Sequence, residues 1–300
     1  MFSALSAPVR GAIWSTAAWA SMAVLTRHLS GEIHIFEIVF FRSLFGMVFL
    51  LPWLFRKGLR GIYTQRLGMH MARGFVGLAT IYLVFSAIAL SPLAELAAIM
   101  TLRPIMATVA AVIVLGEAAR GRRWSATIIG FIGALIILRP GLNEVSTGTM
   151  LMLAAVVLMA TLSIIMKSLS RTETPDCIVT WQMVIFTPLT LIPALYVWQT
   201  PSLPQLAIFV FIGMFGTLTQ RGLTRAYAAA DATVVLPFEF TRLVFSALLG
   251  FLFFAELPDM WTWVGGALIF AGTITMAHLE ARDDGASSVR RQPAPPPGHP

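Results

Sequence analysis

The sequence predicts an all-α membrane protein: ten transmembrane helices forming two inverted five-helix repeats around a central cavity. Three observations predict it. Apolar runs of about 20 residues, the length that crosses about 30 Å of hydrocarbon, recur down the chain. Lysine and arginine concentrate in alternate short loops. One half of the chain can be laid on the other. The 300 residues are 57% hydrophobic and 12% charged, with mean hydropathy +0.81. A soluble domain carries about 25% charged residues.

The apolar segments run over 11–29, 34–55, 67–90, 92–115, 124–138, 147–167, 177–198, 205–228, 232–254 and 260–278. Proline- and glycine-bearing turns separate them: Ser91-Pro92, Arg139-Pro140-Gly141, Thr174-Pro175-Asp176, Pro201 with Pro204, and Pro258-Asp259. The first segment holds Trp14 and Trp19 and runs into Arg27-His28. It reads as a helix rather than a cleaved leader, which would end on small residues. Trp53, Trp198, Trp261 and Trp263 stand at segment ends, as interfacial aromatics do. The tail, 281–300, is rich in proline and charge and is expected to be disordered and cytoplasmic.

The net charge of +7 would suggest nucleic acid in a soluble protein. Here the basic residues sit mainly in loops, where they set orientation, and no nucleic-acid partner is expected. With the amino terminus inside, 13 of the 21 basic residues fall in inside segments. Two, Arg27 and Arg139, fall outside, and six lie within segments. The expectation is a multi-pass protein of a bacterial inner membrane with both termini in the cytoplasm.

A shift of 139 places Gly77–Glu117 on Gly216–Glu256 without a gap, Arg103 on Arg242 and Glu117 on Glu256. The tetrapeptide Gly-Ala-Leu-Ile occurs at Gly133–Ile136 and again at Gly266–Ile269. Five helices per half is an odd number, so the second copy enters the membrane inverted. Such pairs can rock to expose a central site to each side in turn. Transport by alternating access is the expectation, against the plainer reading that duplication built a stable bundle.

Several of these runs resemble the EamA family of the drug/metabolite transporter superfamily. They are Ile-Val-Phe-Phe-Arg42, Pro104 through Leu115-Gly116-Glu117, Gly130 through Gly133-Ala-Leu-Ile-Ile, and Ala255-Glu256 through Gly265-Gly-Ala-Leu-Ile. The resemblance covers about residues 10–280. It implies a first repeat over 10–140, a second over 146–280, and a cavity lined by the first, third, fourth, sixth, eighth and ninth segments. Members of such a family move amino acids, cofactors, metallophores and drugs. Two departures stand out: Ala255-Glu256 replaces the usual Gly-Glu, and Leu243 stands where Pro104 does in the first half, with Pro237 nearby instead.

Ionised groups at mid-bilayer are expensive and need a reason. Arg103 and Arg242 lie about eleven residues into their segments, near the midplane by the 1.5 Å helical rise. Glu239 and Arg242 share a helical face and can pair. Arg103 needs a partner from another helix, Glu239 among them, or a ligand. A guanidinium fork suits carboxylate or phosphate, so an anionic or zwitterionic, amino-acid-like cargo is expected. Glu239 is the candidate for proton coupling. Arg42, Pro104 and Pro237 read as architectural, and Glu117 and Glu256 as hinge or packing residues that need a cationic or backbone partner. Arg73, Arg221 and Arg225 are placed to snorkel, as is Lys167. Trp14, Ser15, Tyr82, Met100, Ser163 and Gln220 are candidate cavity residues, with ordinary packing as the plainer reading of each.

No catalytic set appears. The five histidines lie at segment ends or outside the segments, and the single cysteine, Cys177, has no obvious partner. Counting cysteines excludes disulfides and Cys/His metal clusters, so no metal and no cofactor are expected. The absence of GxxxxGK[ST] argues against direct ATP drive. The expectation is a secondary transporter, not an enzyme, with export favoured and uptake of a cofactor-like solute such as S-adenosylmethionine or riboflavin, or broad drug/metabolite efflux, as the alternative. A monomer and a homodimer are equally compatible with it.

Overall fold

The protein's computed structural model describes residues 7–58, 63–103, 105–106, 128–129, 131–133, 135–137, 145–169, 172–229, 241–272 and 275. Every regular element among them is a helix. The helices are α1 (Ala7–Leu29), α2 (Ile35–Lys57), α3 (Leu67–Leu90), α4 (Leu93–Met100), α5 (Thr147–Leu169), α6 (Pro175–Tyr196), α7 (Leu203–Ala229), α8 (Thr241–Phe254) and α9 (Met260–Gly272). Among the described residues, five stretches are long and apolar enough to cross a membrane: Ile35–Arg56, Leu67–Leu90, Thr147–Met166, Pro175–Tyr196 and Leu203–Arg225. Glu117, Pro104, Pro237 and Glu239 lie outside the described residues, as does the tail.

Local chemistry explains the helix starts. His34 caps α2 by accepting the Phe36 N–H on Nδ1 at 3.2 Å. Thr174 caps α6 by accepting the Cys177 N–H at 3.3 Å, and Pro175 takes the first helical position, where its missing N–H costs nothing. The fourth predicted segment is not one continuous helix. It stops at Met100, and the Thr101 and Leu102 N–H groups turn back on Ala98 and Ile99. A proline at position 104 has no N–H for the Met100 carbonyl, so the sequence itself supplies the break. Arg103 follows that break directly.

The distribution of side chains suits lipid. Large apolar groups such as Phe131, Leu135, Leu248, Phe251 and Leu252 are exposed, while Glu37, Arg42, Arg73 and Arg242 are buried. In water that arrangement would leave a sticky surface and strand charges inside. In hydrocarbon it is the economical one. Snorkelling for Arg73 is therefore corrected: it is 5% exposed and points inward.

Helix contacts cross the two halves of the chain. α1 packs on α7, α3 on α5, α2 on α6, and both α1 and α4 meet α8. In predicted-segment order these are first with eighth, third with sixth, and second with seventh. Exchanging the halves turns the first two pairings into one another and the third into itself. The Gly-Ala-Leu-Ile copies also meet. A Cβ on Gly133 would lie 2.7 Å from the Gly265 carbonyl oxygen, and one on Gly265 would lie 2.5 Å from that of Gly133. Gly133 also faces Ile269 of the second copy, and Gly265, the residue just before that copy, faces Ile137, the residue just after the first. Gly133 and Gly265 thus mark a close backbone crossing at the two Gly-Ala-Leu-Ile stretches, which only small residues permit.

Glu256 has the two partners its position demands. Its carboxylate pairs with Arg27 at the end of α1 and accepts the Leu93 N–H at the start of α4, at 3.1 Å. A carboxylate is favourable at that amino-terminal dipole, whereas it would be unfavourable at the end of its own helix. Arg27 also donates to the Ser91 carbonyl at 2.9 Å and lies 5.0 Å from the Phe254 ring centroid. Beside this knot, Ser91 bonds Ser146 at 2.6 Å, Ser146 bonds Thr149 at 2.8 Å, and Thr149 donates to Glu95. One polar cluster thus ties α1, α4, α5 and α8 at one end of the bundle.

The turn that delivers Glu256 is strained. Ala255 has φ 54°, in the left-handed region. The Ala255 N–H bonds the Phe251 carbonyl at 3.0 Å, and the Glu256 N–H reaches back to Gly250 at 3.2 Å. The bond from Ala255 to Phe251 is that of the αL helix ending, whose left-handed position normally holds glycine. Ala255→Gly is expected to stabilise the protein by about 1 kcal/mol, read as a raised midpoint of thermal unfolding in detergent, because the Cβ penalty there exceeds glycine's entropy cost. Glu256→Ala is expected to cost about 2–3 kcal/mol by the same measurement, and a double-mutant cycle with Arg27→Ala should show strong coupling. Additive losses would mean that the two side chains act separately.

Candidate substrate-binding site

Polar and aromatic side chains converge where α1, α2, α3, α7 and α8 pass one another. Thr16 of α1 and Thr241 of α8 share a hydrogen bond of 2.7 Å. Thr219 of α7 donates to the Ser15 carbonyl at 3.3 Å. The Arg242 guanidinium is buried and lies 5.2 Å from the Trp19 ring centroid. Arg42 is buried 5.8 Å from the Phe85 centroid. A Cβ on Gly216 would come within 3.0 Å of Arg42 Nε, so the missing side chain there makes room for the guanidinium. Cation–π contact partly replaces the water both cations have lost.

Some buried groups in this region are unsatisfied. Among the described residues, Arg42 Nε and Nη1, the Tyr82 hydroxyl, Ser15 Oγ and Ser246 Oγ have no hydrogen-bond partner. Buried donors are normally paired, so such a concentration marks where a polar ligand or water belongs. The Tyr82 ring stands edge-on to Phe36 at 5.2 Å. Aromatic faces with a few convergent donors are the usual lining of a small-molecule site.

A second polar centre lies toward the other end of α3. Arg73 Nη2 donates to Gln182 Oε1 at 3.0 Å, and the Gln220 amide donates to the same oxygen at 3.0 Å. Arg73 also reaches Met166 Sδ at 3.1 Å and the Ile178 carbonyl at 3.4 Å. The cation is met by neutral groups only in these contacts. Arg221 and Arg225, in contrast, pair with Asp176 at 2.8 and 3.2 Å.

The structure sorts the expected site residues. Arg242 joins the first centre, with Ser15 and Tyr82, and Gln220 joins the second. Arg103 is half-buried and engaged, beside the break after α4. Arg42 is wedged between helices, as an architectural residue would be. Met100 packs into the apolar core, and Ser163 Oγ donates to the Met159 carbonyl of its own helix. Trp14 is corrected: it is 71% exposed and faces away from the bundle, because one residue along a helix turns a side chain by about 100° from buried Ser15. Glu239 and its pairing with Arg242 or Arg103 fall outside the described residues, and so does the side chain of Lys167.

Sequence reasoning missed Gln182, which has no periodic signal of its own within an apolar helix. It also missed the surroundings of Cys177. Counting cysteines had excluded a Cys-containing metal cluster, yet Glu173, Cys177 and His70 come together, with ligand atoms within 4.8 Å of one another. One cysteine cannot make a Cys-rich site, but a mixed donor set needs only one.

Gln182→Leu removes the shared acceptor and leaves the Arg73 cation with weaker partners. It is expected to lower stability by about 2–3 kcal/mol in thermal unfolding, with Gln182→Glu tolerated.

Comparison with known proteins agrees with this architecture. The model of the EamA-like transporter family matches twice, over residues 9–139 and 146–277. A protein of Rhizobium johnstonii named riboflavin transporter is 31% identical over 283 residues, covering 92% of this chain and 94% of its own. A protein of Rickettsia felis named S-adenosylmethionine uptake transporter is 27% identical over 259 residues, covering 86% and 88%. A pseudopaline exporter of Pseudomonas aeruginosa is 29% identical over 274 residues, covering 90% and 95%. Matched twice along nearly its whole length, this chain belongs to the EamA-like transporter family and is a multi-pass membrane transporter of small metabolites rather than an enzyme.

Proposed function

We propose that this protein imports a cofactor-sized heteroaromatic metabolite, a flavin before S-adenosylmethionine, across a bacterial inner membrane. The observation that carries the reading is the whole-length similarity to proteins named for riboflavin and S-adenosylmethionine transport. The first polar centre supports it. Arg42, Tyr82 and Ser246, with their unpaired polar atoms, offer donors to the acceptor-rich edge of such a ring. An anionic amino-acid-like cargo draws less support than the arginine count suggested. Arg42 and Arg242 stack on aromatic rings, Arg73 meets amides, and Arg221 and Arg225 meet Asp176. Export of an anionic or zwitterionic metabolite is the second reading, favoured by the similarity to the pseudopaline exporter.

In this reading the ten segments form two inverted five-helix repeats, 10–140 and 146–280, with both termini cytoplasmic. The half-exchanging helix contacts and the reciprocal Gly133–Gly265 crossing are what such a pair would produce. The repeats rock about the site between them, and one chain is a complete functional unit. Glu239 is the proton-coupling residue, and Arg103 and Arg242 flank the substrate path.

Counterflow in proteoliposomes tests the proposal, with riboflavin, S-adenosylmethionine and anionic amino acids offered together. Riboflavin should exchange, and Arg242→Ala should slow it at least about tenfold, the size of one lost polar contact to a ligand. Glu239→Gln should remove the pH dependence of transport while leaving the fold intact. Exchange confined to anionic amino acids would replace this reading with the second one.

A further inference from the structure

His70 is the least explained polar residue among those described. It lies one turn into α3, is 1% exposed, and has no hydrogen bond on either ring nitrogen among the described residues. A neutral imidazole carries one donor and one acceptor, and burial normally requires at least one of them to be met. Its Nε2 instead faces Glu173 Oε1 at 4.0 Å. Glu173 precedes α6 by two residues, and its second oxygen accepts the thiol of Cys177 at 3.3 Å. Cys177 is itself buried, in the first turn of α6.

We propose that His70, Glu173 and Cys177 form a site for a divalent transition metal of zinc-like softness. Imidazole, carboxylate and thiolate are the donors such an ion takes, and three protein ligands leave a fourth position open to water. Donor atoms around a tetrahedral zinc lie about 3.3–3.6 Å apart. Cys177 Sγ and Glu173 Oε2 already fall there, and one donor atom from each of the three residues lies within 4.8 Å of the others, so a movement on the order of 1 Å closes the set. Binding replaces the S–H bond by a metal–sulfur bond and releases the proton to solvent. The thiolate and carboxylate then neutralise the dication, as a site at a membrane boundary requires.

The supporting groups are also in place. Thr64 donates to Glu173 Oε1 at 2.6 Å, fixing the carboxylate, and the Trp181 ring lies 5.6 Å from that of His70. Ligand orientation by such outer contacts is usual at metal sites. The two nearby cations are engaged elsewhere: Arg66 with Ser168 at 2.7 and 2.9 Å, and Arg73 with Gln182 at 3.0 Å. His70 belongs to the first family match and Glu173 and Cys177 to the second. An ion bound here would join the two repeats at the end of the bundle opposite the Arg27–Glu256 knot.

The test uses the full chain in detergent, stripped of metal and titrated with Co²⁺. Cys177 is the chain's one cysteine, so a thiolate-to-cobalt charge-transfer band can come from nowhere else in it. One equivalent of Co²⁺ should produce that band, Zn²⁺ should abolish it, and Zn²⁺ should raise the thermal unfolding midpoint. Cys177→Ser should remove the band. His70→Gln and Glu173→Gln should each weaken Co²⁺ binding by more than tenfold, and Thr64→Val, which leaves all three ligands, by about tenfold. Circular dichroism confirms that each variant is folded. No band in the wild-type chain overturns the proposal. So does a band of equal affinity in both His70→Gln and Glu173→Gln, which would mean that the thiol binds metal alone. The readouts do not involve transport, so they are independent of the cargo.

Discussion

The structure is organised by the cost of placing charge in hydrocarbon. Among the described residues, each buried arginine, like the partly buried Arg27, has a neighbour from outside its own helix. Arg27 meets Glu256, Arg42 the Phe85 ring, Arg73 the Gln182 amide, and Arg242 the Trp19 ring. None of these pairs lies within one helix, so each works as a tie as well as a neutraliser. In water such ties would contribute little. Away from water, losing one partner strands the other, and the helices are held in register by that penalty.

The same constraint explains why the ends of the short helices carry function. α4 begins on the Glu256 carboxylate and ends at a break beside Arg103. An interrupted helix has a free amino end and a free carboxyl end within the bundle, and both seek charged partners. Ala255 accepts a left-handed backbone so that Glu256 can arrive at the first of these ends. The left-handed residue makes the turn, and the glutamate reaches across to another helix.

Much of the bundle was legible beforehand. The third segment was placed at 67–90, where α3 lies, and most other described boundaries fell within three residues. Proline, glycine and capping residues mark those ends locally. The candidate site was less legible. Trp14 and Ser15 are adjacent and of similar promise in a sequence, yet one faces outward and the other inward. Such a choice depends on which neighbour a helix packs against. Gln182 was invisible for a related reason: it matters only because Arg73, more than a hundred residues earlier, comes to rest beside it.

The sequence by itself determined the all-helical class, the repeat and the need of Glu256 for a cationic or backbone partner. Those follow from composition, spacing and the energetics of charge near lipid, which act along the chain. Only the tertiary structure decided the partners. That Arg27 answers Glu256, that the chain crosses itself at Gly133 and Gly265, and that His70 joins Glu173 and Cys177 are facts of packing between distant segments. Periodicity fixes the faces of a helix but carries no information about which other helix will cover them.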